Sequence, residues 1–330
     1  AFEQKGGFGM VRKLLRSVRE YKTSSLLAPL FVTCEVILEV IIPMLMANLI
    51  DFGIEAGNMQ YILKMGLALV IFCIVSLTFG ALSGKYAAVA SAGFAKNLRE
   101  DMYNKVQEYS FSNIDKFSTA SIVTRLTTDI TNIQNAYMMS IRVAVRCPIM
   151  LIFALFMAFQ INSHLAPIFV IAIPILAVGL VIIISNAKRI FERIFRTYDK
   201  LNNVVQENLH GIRVVKSFVR EDHETEKFCS VSKEIYQDFS KAEKILAFNA
   251  PLMQFCAYGC MLLISWLGAK LIVASGNNPA VGMTTGDLTS MFSYTMQILM
   301  SLMMFSMVFV MITISYASME RAEEILDEKS

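Results

Sequence analysis

Six runs of apolar residues, each long enough to cross a lipid bilayer, decide what this chain can fold into. They cover residues 26–50, 61–82, 139–161, 166–185, 248–274 and 291–314. A bilayer's hydrocarbon core is about 30 Å thick and needs about 20 apolar residues as a helix. Within it, only helices and closed barrels satisfy the backbone's polar groups. Each run is longer than the apolar part of a signal peptide, and none precedes a cleavage-like site. The expected fold class is all-α: a polytopic membrane protein with six long transmembrane helices.

The basic residues are distributed unevenly. Of 30 Lys and Arg, six precede the first run, six lie from Lys85 to Arg125, twelve from Lys188 to Lys244, and two follow the sixth run. The three opposite loops carry none, and only Lys64 and Lys270 lie near them. The excess of cations on one side predicts both termini in the cytoplasm of a multi-pass plasma-membrane protein. These basic runs flank spans, alternate with acids and lack interleaved aromatic residues, so nucleic acid is not an expected partner. Five of the six cysteines, Cys34, Cys73, Cys147, Cys256 and Cys260, sit inside spans, and no C-x-x-C pair exists. That pattern argues against a disulfide framework or a metal site and for small buried apolar thiols.

The two connections on the basic side, residues 85–138 and 186–247, do not read as loops. No proline occurs from Met44 to Cys147 or from Ile175 to Ala250. Both stretches keep apolar residues at helical spacing, such as Leu98, Met102, Val106 and Tyr109 in the first. The spanning helices are therefore expected to run on beyond the lipid. A helix from Met59 to Tyr109 would be about 75 Å long. With about 30 Å in the bilayer, roughly 40 Å would project into the cytoplasm. Each connection must then reverse once. The first reversal is expected at Ser110–Ser118, where Ser and Asn break and cap helices, and the second near Asn208–Arg213, punctuated by Gly211. Before the first span, residues 8–21 set Met10, Val11, Leu14, Leu15 and Val18 against Arg12, Lys13, Arg16 and Arg19. This basic amphipathic pattern predicts a helix lying on the inner membrane surface.

Several motifs occur in one order and spacing. They are Glu39-Val-Ile-Ile-Pro43 with Ala47-Asn-Leu-Ile-Asp51, then Asp115 to Asp129 containing Thr124-Arg125-Leu126. Next come Arg142-Val-Ala-Val-Arg146-Cys-Pro148, Gln206 to Phe218, and Arg321-Ala-Glu-Glu-Ile-Leu326. On these residues the whole chain resembles the transmembrane domain of the ABC exporter family, type IV fold, and looks closest to bacterial heterodimeric multidrug exporters. The resemblance implies an N-terminal elbow (1–22), a six-helix domain (23–325) and the start of a linker (326–330). It implies a first coupling helix at Ser112, Asn113, Ile114, Asp115, Lys116 and Phe117. A second would comprise His210, Gly211, Ile212, Arg213, Val214, Lys216 and Phe218. Phe117 and Phe218 would be the apolar anchors that seat in nucleotide-binding domains, with Arg213 and Lys216 as rim charges. Ordinary hairpin packing is the alternative for these residues. The implied partners are a second exporter half, identical or (favoured) a sister subunit, together with nucleotide-binding domains, the lipid bilayer and a small-molecule substrate. No G-x-x-x-x-G-K-[ST] loop is present, and Leu82-Ser-Gly-Lys85 is a chance match to the family's signature loop. No cofactor is expected on this chain; ATP and Mg would sit on a nucleotide-binding domain that was removed or belongs to a separate chain.

Candidate transport residues lie within the spans. Glu35 and Glu39 share one face of the first helix, and Arg142 and Arg146 one face of the third. Charges at such depth are costly and usually paired or pore-facing. Counting residues down from the outer ends puts Glu39 level with Arg146 and Glu35 level with Arg142, as two rungs of a ladder. A structural ladder, a site for cationic drugs and a proton relay all fit that arrangement. Met300, Met303, Met304 and Met307 follow helical spacing in the sixth span. Their flexible thioethers suit a promiscuous apolar cavity as well as plain packing, with Gln297 and Asn249 as polar handles if they face inward. Asp51 and Asp287, near the outer ends of the first and sixth helices, are candidates for an outer gate or for helix capping. The expected function is ATP-driven export of amphipathic or apolar compounds, drugs foremost, by alternating access. Lipid or peptide export shares the scaffold, and an ion-coupled carrier or channel using Glu35 and Glu39 is the alternative from another class.

Overall fold

The computed structural model describes the backbone of residues 3–278 and 282–328; the side chains of residues 3–8, 115, 116, 120, 188, 192 and 195 fall outside the description. The linker start expected at residues 326–330 includes Lys329 and Ser330, which lie outside the described residues. Among the described residues there is no strand, and six helices are long and apolar enough to cross a membrane.

The chain begins with α1 (Glu3–Leu14), followed by a 3₁₀ segment, Leu15–Tyr21. The continuous helix expected over residues 8–21 is broken there: Arg19 takes φ 39° and ψ −115°. Its guanidinium is held by Asp101, which fixes the turn between α1 and the first span. The first span lies in α2 (Lys22–Leu49), which continues into a π-helical segment, Ile50–Glu55. Asn58 then caps α3 (Met59–Gln107), its side chain accepting from the Tyr61 N–H at 3.1 Å.

α3 runs without a break through the second apolar run and far beyond it. The chain then reverses through α4 (Phe111–Phe117), capped by a reciprocal Ser110–Asn113 box. The return limb is less regular than a single rod: α5 (Thr119–Thr124), a π-helical turn Arg125–Asp129, and α6 (Ile130–Ile161). After a tight turn held by Asn162, α7 spans Pro167–His210. A second reversal, through α8 (Ile212–Ser217), leads to α9 (Glu221–Ala247) and α10 (Asn249–Ser275). α11 (Thr285–Asp327) opens on a Thr284–Asp287 capping box.

The chain forms two compact units: residues 1–169 with 261–330, and residues 170–260. In the first, the core beyond the spans joins α1 to the far ends of α3 and α11 and to the first reversal. Met10, Leu14 and Val18 bury against Phe94, Leu98 and Met102, with Ala322 and Ile325 of α11 in the same cluster. A polar layer locks this core. Asp129, 1% exposed, receives both Nε and Nη2 of Arg321 and the Ser318 hydroxyl. Arg125 donates to Glu324 at 2.7 Å and to the Arg321 carbonyl at 3.0 Å. The Tyr109 hydroxyl donates to the Ile325 carbonyl at 2.8 Å. Burial, with the Glu328 carboxylate nearby, pushes that hydroxyl up to about 12, so it donates as a neutral phenol. In the second unit, α7 and α9 pair through Val204, Val231 and Ile235, with Lys227 bound to Glu207 at 2.7 Å.

Asp129 lies ahead of the third span. Burial raises its carboxyl, but the Arg321 and Ser318 hydrogen bonds and the charges of Arg321 and Arg125 outweigh that and hold it below its ordinary value of 3.8. Its stabilisation is therefore complete above about pH 4 and is lost as pH falls through the lowered native value. Asp129→Asn should cost about 1.5–3 kcal/mol, the range for hydrogen bonds to charged groups. Thermal unfolding of the purified chain in detergent measures the loss, and the variant should lack the wild type's steep acid limb below about pH 4.

Candidate functional site

Glu35 and Glu39 lie one turn apart on α2 and face α6, where Arg146 meets both. Its Nη1 donates to Glu35 Oε1 at 2.7 Å and its Nη2 to Glu39 Oε2 at 2.5 Å. Arginine's planar fork suits this task, since its two terminal nitrogens diverge toward separate acceptors. The expected two-rung ladder is thus corrected: one guanidinium serves both acids. Arg142 pairs with neither; its guanidinium lies over Gly84 of α3, 3.6 Å from where a Cβ would stand. The π-helical segment Ile50–Glu55 explains the shift. A π turn holds more residues than an α turn, so the first helix advances less per residue than a uniform count assumes. Both acids then stand higher, and Arg146 falls between them. The Glu35 carboxyl rests on Gly80, where a Cβ would come within 3.1 Å of it. Gly80 makes room on α3 for the acid, while one turn on the Arg142 guanidinium is only at ordinary contact distance from Gly84.

Beside this fork is a recess of about 170 Å³. Of the expected cavity residues, Glu39, Gln297, Met300 and Met304 line it. Met303 and Met307 are exposed elsewhere on α11, Glu35 stands outside the lining, and Asn249 belongs to the other compact unit. The sequence reading missed Cys147, Met150, Met296 and Ser301 as further lining residues. Met296, Met300 and Met304 are one turn apart, so the spacing of a single face contained that signal; Met150 needed the packing of α6 against α11. Gln297 is positioned by backbone chemistry. Pro43 has no N–H to give the Glu39 carbonyl, and Gln297 Nε2 approaches that carbonyl at 3.4 Å. Nearby, Ser290 donates to the Pro43 carbonyl at 2.6 Å, Tyr294 to Val40 at 2.8 Å, and Ser301 to Cys147 at 2.8 Å. These bonds tie α11 to the stretches of α2 and α6 around Pro43 and Pro148.

The two gate candidates both act as caps. Asp51 accepts from the Thr284 hydroxyl at 2.6 Å and from the Gly286 N–H at 2.9 Å, while Asp287 completes the capping box with Thr284. A side chain at Gly286 would lie 2.4 Å from the Ala47 carbonyl, so only glycine lets the first helix approach this closely.

The reversals differ in what they expose. In α4 the expected anchor Phe117 is corrected: it is 5% exposed, stacked on Tyr109 with the Arg125 guanidinium over its ring. Phe111, at the start of α4, is 89% exposed instead. On so short a helix the two phenylalanines point opposite ways, and the longer apolar pattern gave no sign of which one turns inward. Ser112 is exposed, Ile114 packs against the core that holds Phe117, Asn113 is buried in the cap, and the side chains of Asp115 and Lys116 lie outside the described residues. In the second reversal, Ile212, Arg213, Val214 and Phe218 are exposed, Phe218 at 74%. Lys216 pairs with Glu221 at 3.4 Å, His210 is hydrogen-bonded to the Gln206 carbonyl, and Gly211 caps α8.

Residues 25–303 match the ABC transporter transmembrane region family. The chain belongs to that family. Among relatives of this ABC transporter membrane region, the uncharacterized ABC transporter ATP-binding protein YfiB of Bacillus subtilis is 27% identical over 96% of the chain and 54% of its own length. The uncharacterized ABC transporter ATP-binding protein Rv1273c of Mycobacterium tuberculosis is 26% identical over 96% and 54%. An ATP-dependent lipid A-core flippase of Pseudoalteromonas translucida is 22% identical over 78% and 44%. The chain spans about half the length of the curated relatives it matches. Leu82-Ser-Gly-Lys85 lies in the middle of unbroken α3, where its backbone N–H groups are already spent on the helix.

Removing the shared cation should be far worse than removing an acid. Arg146→Met leaves two carboxylates facing each other without a counter-charge and should cost about 3–5 kcal/mol. Adding Glu35→Gln and Glu39→Gln to that variant should recover most of the loss. Unfolding temperatures of wild type, the single variant and the triple variant in detergent report the coupling, and no recovery in the triple variant would show that Arg146 acts through other contacts.

Proposed function

We propose that this chain is the membrane part of an ATP-driven exporter that moves amphipathic or apolar compounds, drugs foremost, out of the cell by alternating access. It works with nucleotide-binding domains that carry ATP and Mg, and with a second exporter half, a sister subunit by preference. Both termini lie in the cytoplasm. α4 and α8 are the coupling helices, with Phe111 and Phe218 as the apolar anchors. The recess beside Glu39 and Arg146 is part of the substrate path. The observation that carries this reading is the pair of short reversal helices, each offering a large, almost bare phenylalanine. A soluble surface gains nothing from such a ring, whereas a docked partner buries it with large effect.

Lipid export is the second reading, favoured by the likeness to a lipid A-core flippase. An ion-coupled carrier has less support, because it gives no task to two bare docking tips.

The test uses the chain assembled with its native ATP-binding partner in proteoliposomes. Phe111→Ser should cut ATP-driven efflux of a cationic dye by about tenfold or more, as loss of an anchor worth about 2 kcal/mol requires, while the fold survives. Full transport by this variant, or efflux driven by an ion gradient without ATP, would overturn the reading. Comparing dye with labelled phospholipid separates the two export readings.

A further inference from the structure

In the second compact unit, α7 and the α9–α10 limb run antiparallel in one register. Leu252 fills the space over Gly179, Phe191 meets Phe239 edge-on with ring centres 5.9 Å apart, and Glu207 binds Lys227. In that register Arg189 stands level with Lys244. Arg193 and Lys241 both reach Asp238, at 3.8 Å and 3.4 Å. Two cations that approach one carboxylate from different helices stand on the same flank of the pair. Arg189 is one turn from Arg193 on α7, and Lys244 one turn from Lys241 on α9, so all four share that flank. Glu243 leaves α9 on the side away from Lys241. Asp238 is thus the one acid these cations meet among the described residues, and a single carboxylate cannot match four of them. Arg189 and Lys244 are exposed and have no ion pair or hydrogen bond among the described residues.

The depth of this flank follows from the apolar runs on the same two limbs. The fourth run ends at residue 185 and the fifth begins at residue 248. Arg189 and Lys244 each lie four residues outside those limits, about 6 Å along a helix. The headgroup layer takes up about 5–7 Å on each side of the hydrocarbon, so both side chains stand in it. Arg193 and Lys241 lie one further turn out. Helical side chains lean toward the N-terminus, and the N-terminal part of α7 is its span, so both arginines lean back toward the lipid. On the membrane side of the cations, the same stripes turn apolar and bare. Ile182 of α7, Phe248 at the α9–α10 junction and Phe255 of α10 are 55%, 67% and 76% exposed. Unmatched cations directly above exposed apolar side chains fit the boundary between phosphates and acyl chains. Each guanidinium can grip a phosphate with two parallel hydrogen bonds, and each ammonium adds a point charge.

We propose that Arg189, Arg193, Lys241 and Lys244 form a binding site for the headgroup phosphate of an anionic phospholipid, with its acyl chains along Ile182, Phe248 and Phe255. The lipid supplies the negative charge that Asp238 alone cannot. It also bridges α7 to the opposite limb at the level where that limb breaks, between Ala247 and Asn249, and so braces the second hairpin at its root. The assignment rests on the multi-pass membrane reading but not on the transport reading, because it is measured without ATP.

The purified chain in detergent is titrated with phosphatidylglycerol or phosphatidylcholine of identical acyl chains, and retained lipid is counted by native mass spectrometry. Wild type should prefer phosphatidylglycerol by about tenfold or more, since each cation near an anionic lipid is worth about fivefold. Arg189→Gln/Lys244→Gln should lower that preference by about fivefold or more, while the charge-keeping pair Arg189→Lys/Lys244→Arg retains most of it. Arg220→Gln/Lys233→Gln, which removes two exposed cations nearer the tip of the hairpin, should change nothing. Equal retention of the two lipids by wild type, an undiminished preference in the first glutamine pair, or the same loss in the control pair would each overturn the proposal. The preference should persist when the chain is assembled with its native ATP-binding partner; its disappearance there would mean that protein covers the flank, and the lipid site would be refuted. Glycerol phosphate in solution is added as a competitor; if it displaces the lipid, the cations serve free anions and the assignment to lipid fails.

Discussion

Hydrocarbon supplies no water to complete an unpaired carbonyl or a lone charge, and this constraint shapes the first unit throughout its spans. Pro43 of α2 and Pro148 of α6 each lack the N–H that an i−4 carbonyl would use, and residues of α11 gather near both prolines. Ser290, Tyr294, Gln297 and Ser301 all direct polar atoms at backbone oxygens of those helices. Polar side chains on an otherwise apolar helix are thus the fasteners that hold it to its neighbours. The same demand explains the Arg146 fork: with little else polar in reach, two acids converge on one guanidinium.

Beyond the spans the solution is different. There water is available, and the unit is held by a mixed core in which ion pairs enclose apolar side chains. Asp129, Arg321, Arg125 and Glu324 form a chain of contacts between the first reversal and α11. Two motifs far apart in sequence, Arg125 to Asp129 and Arg321 to Leu326, therefore form one structural element. Phe117 is absorbed into it, which is why Phe111 is the ring left outside.

The six spans were legible because lipid thickness forces a minimum length of apolar sequence, and no other arrangement of such runs is tolerated. The reversals were legible because long stretches without proline leave few places to turn, and Ser110 and Gly211 mark them. What could not be read were features set by small departures from regular geometry. The π-helical segment after Leu49 moved the glutamates relative to the arginines, and nothing in Ile50–Glu55 announces it. The positive φ of Arg19 broke the expected amphipathic helix because a distant aspartate, Asp101, holds its side chain. The lining of the recess was half legible: the α11 face follows from spacing, whereas Cys147 and Met150 depend on how two helices pack.

Gln297 has only one amide to give. Its nitrogen is committed to the carbonyl that Pro43 set free, so its oxygen, which has no partner of its own, is left beside the recess. Ser301 likewise spends its proton on Cys147, and the methionine sulfurs can only receive. Arg146, also in the lining, directs two of its five N–H groups at carboxylates. This small space therefore has both kinds of polar partner in its walls: a carboxylate and sulfurs that accept, and N–H groups of Gln297 and Arg146 beyond those these bonds use, so neither a donating nor an accepting solute is turned away by polarity alone.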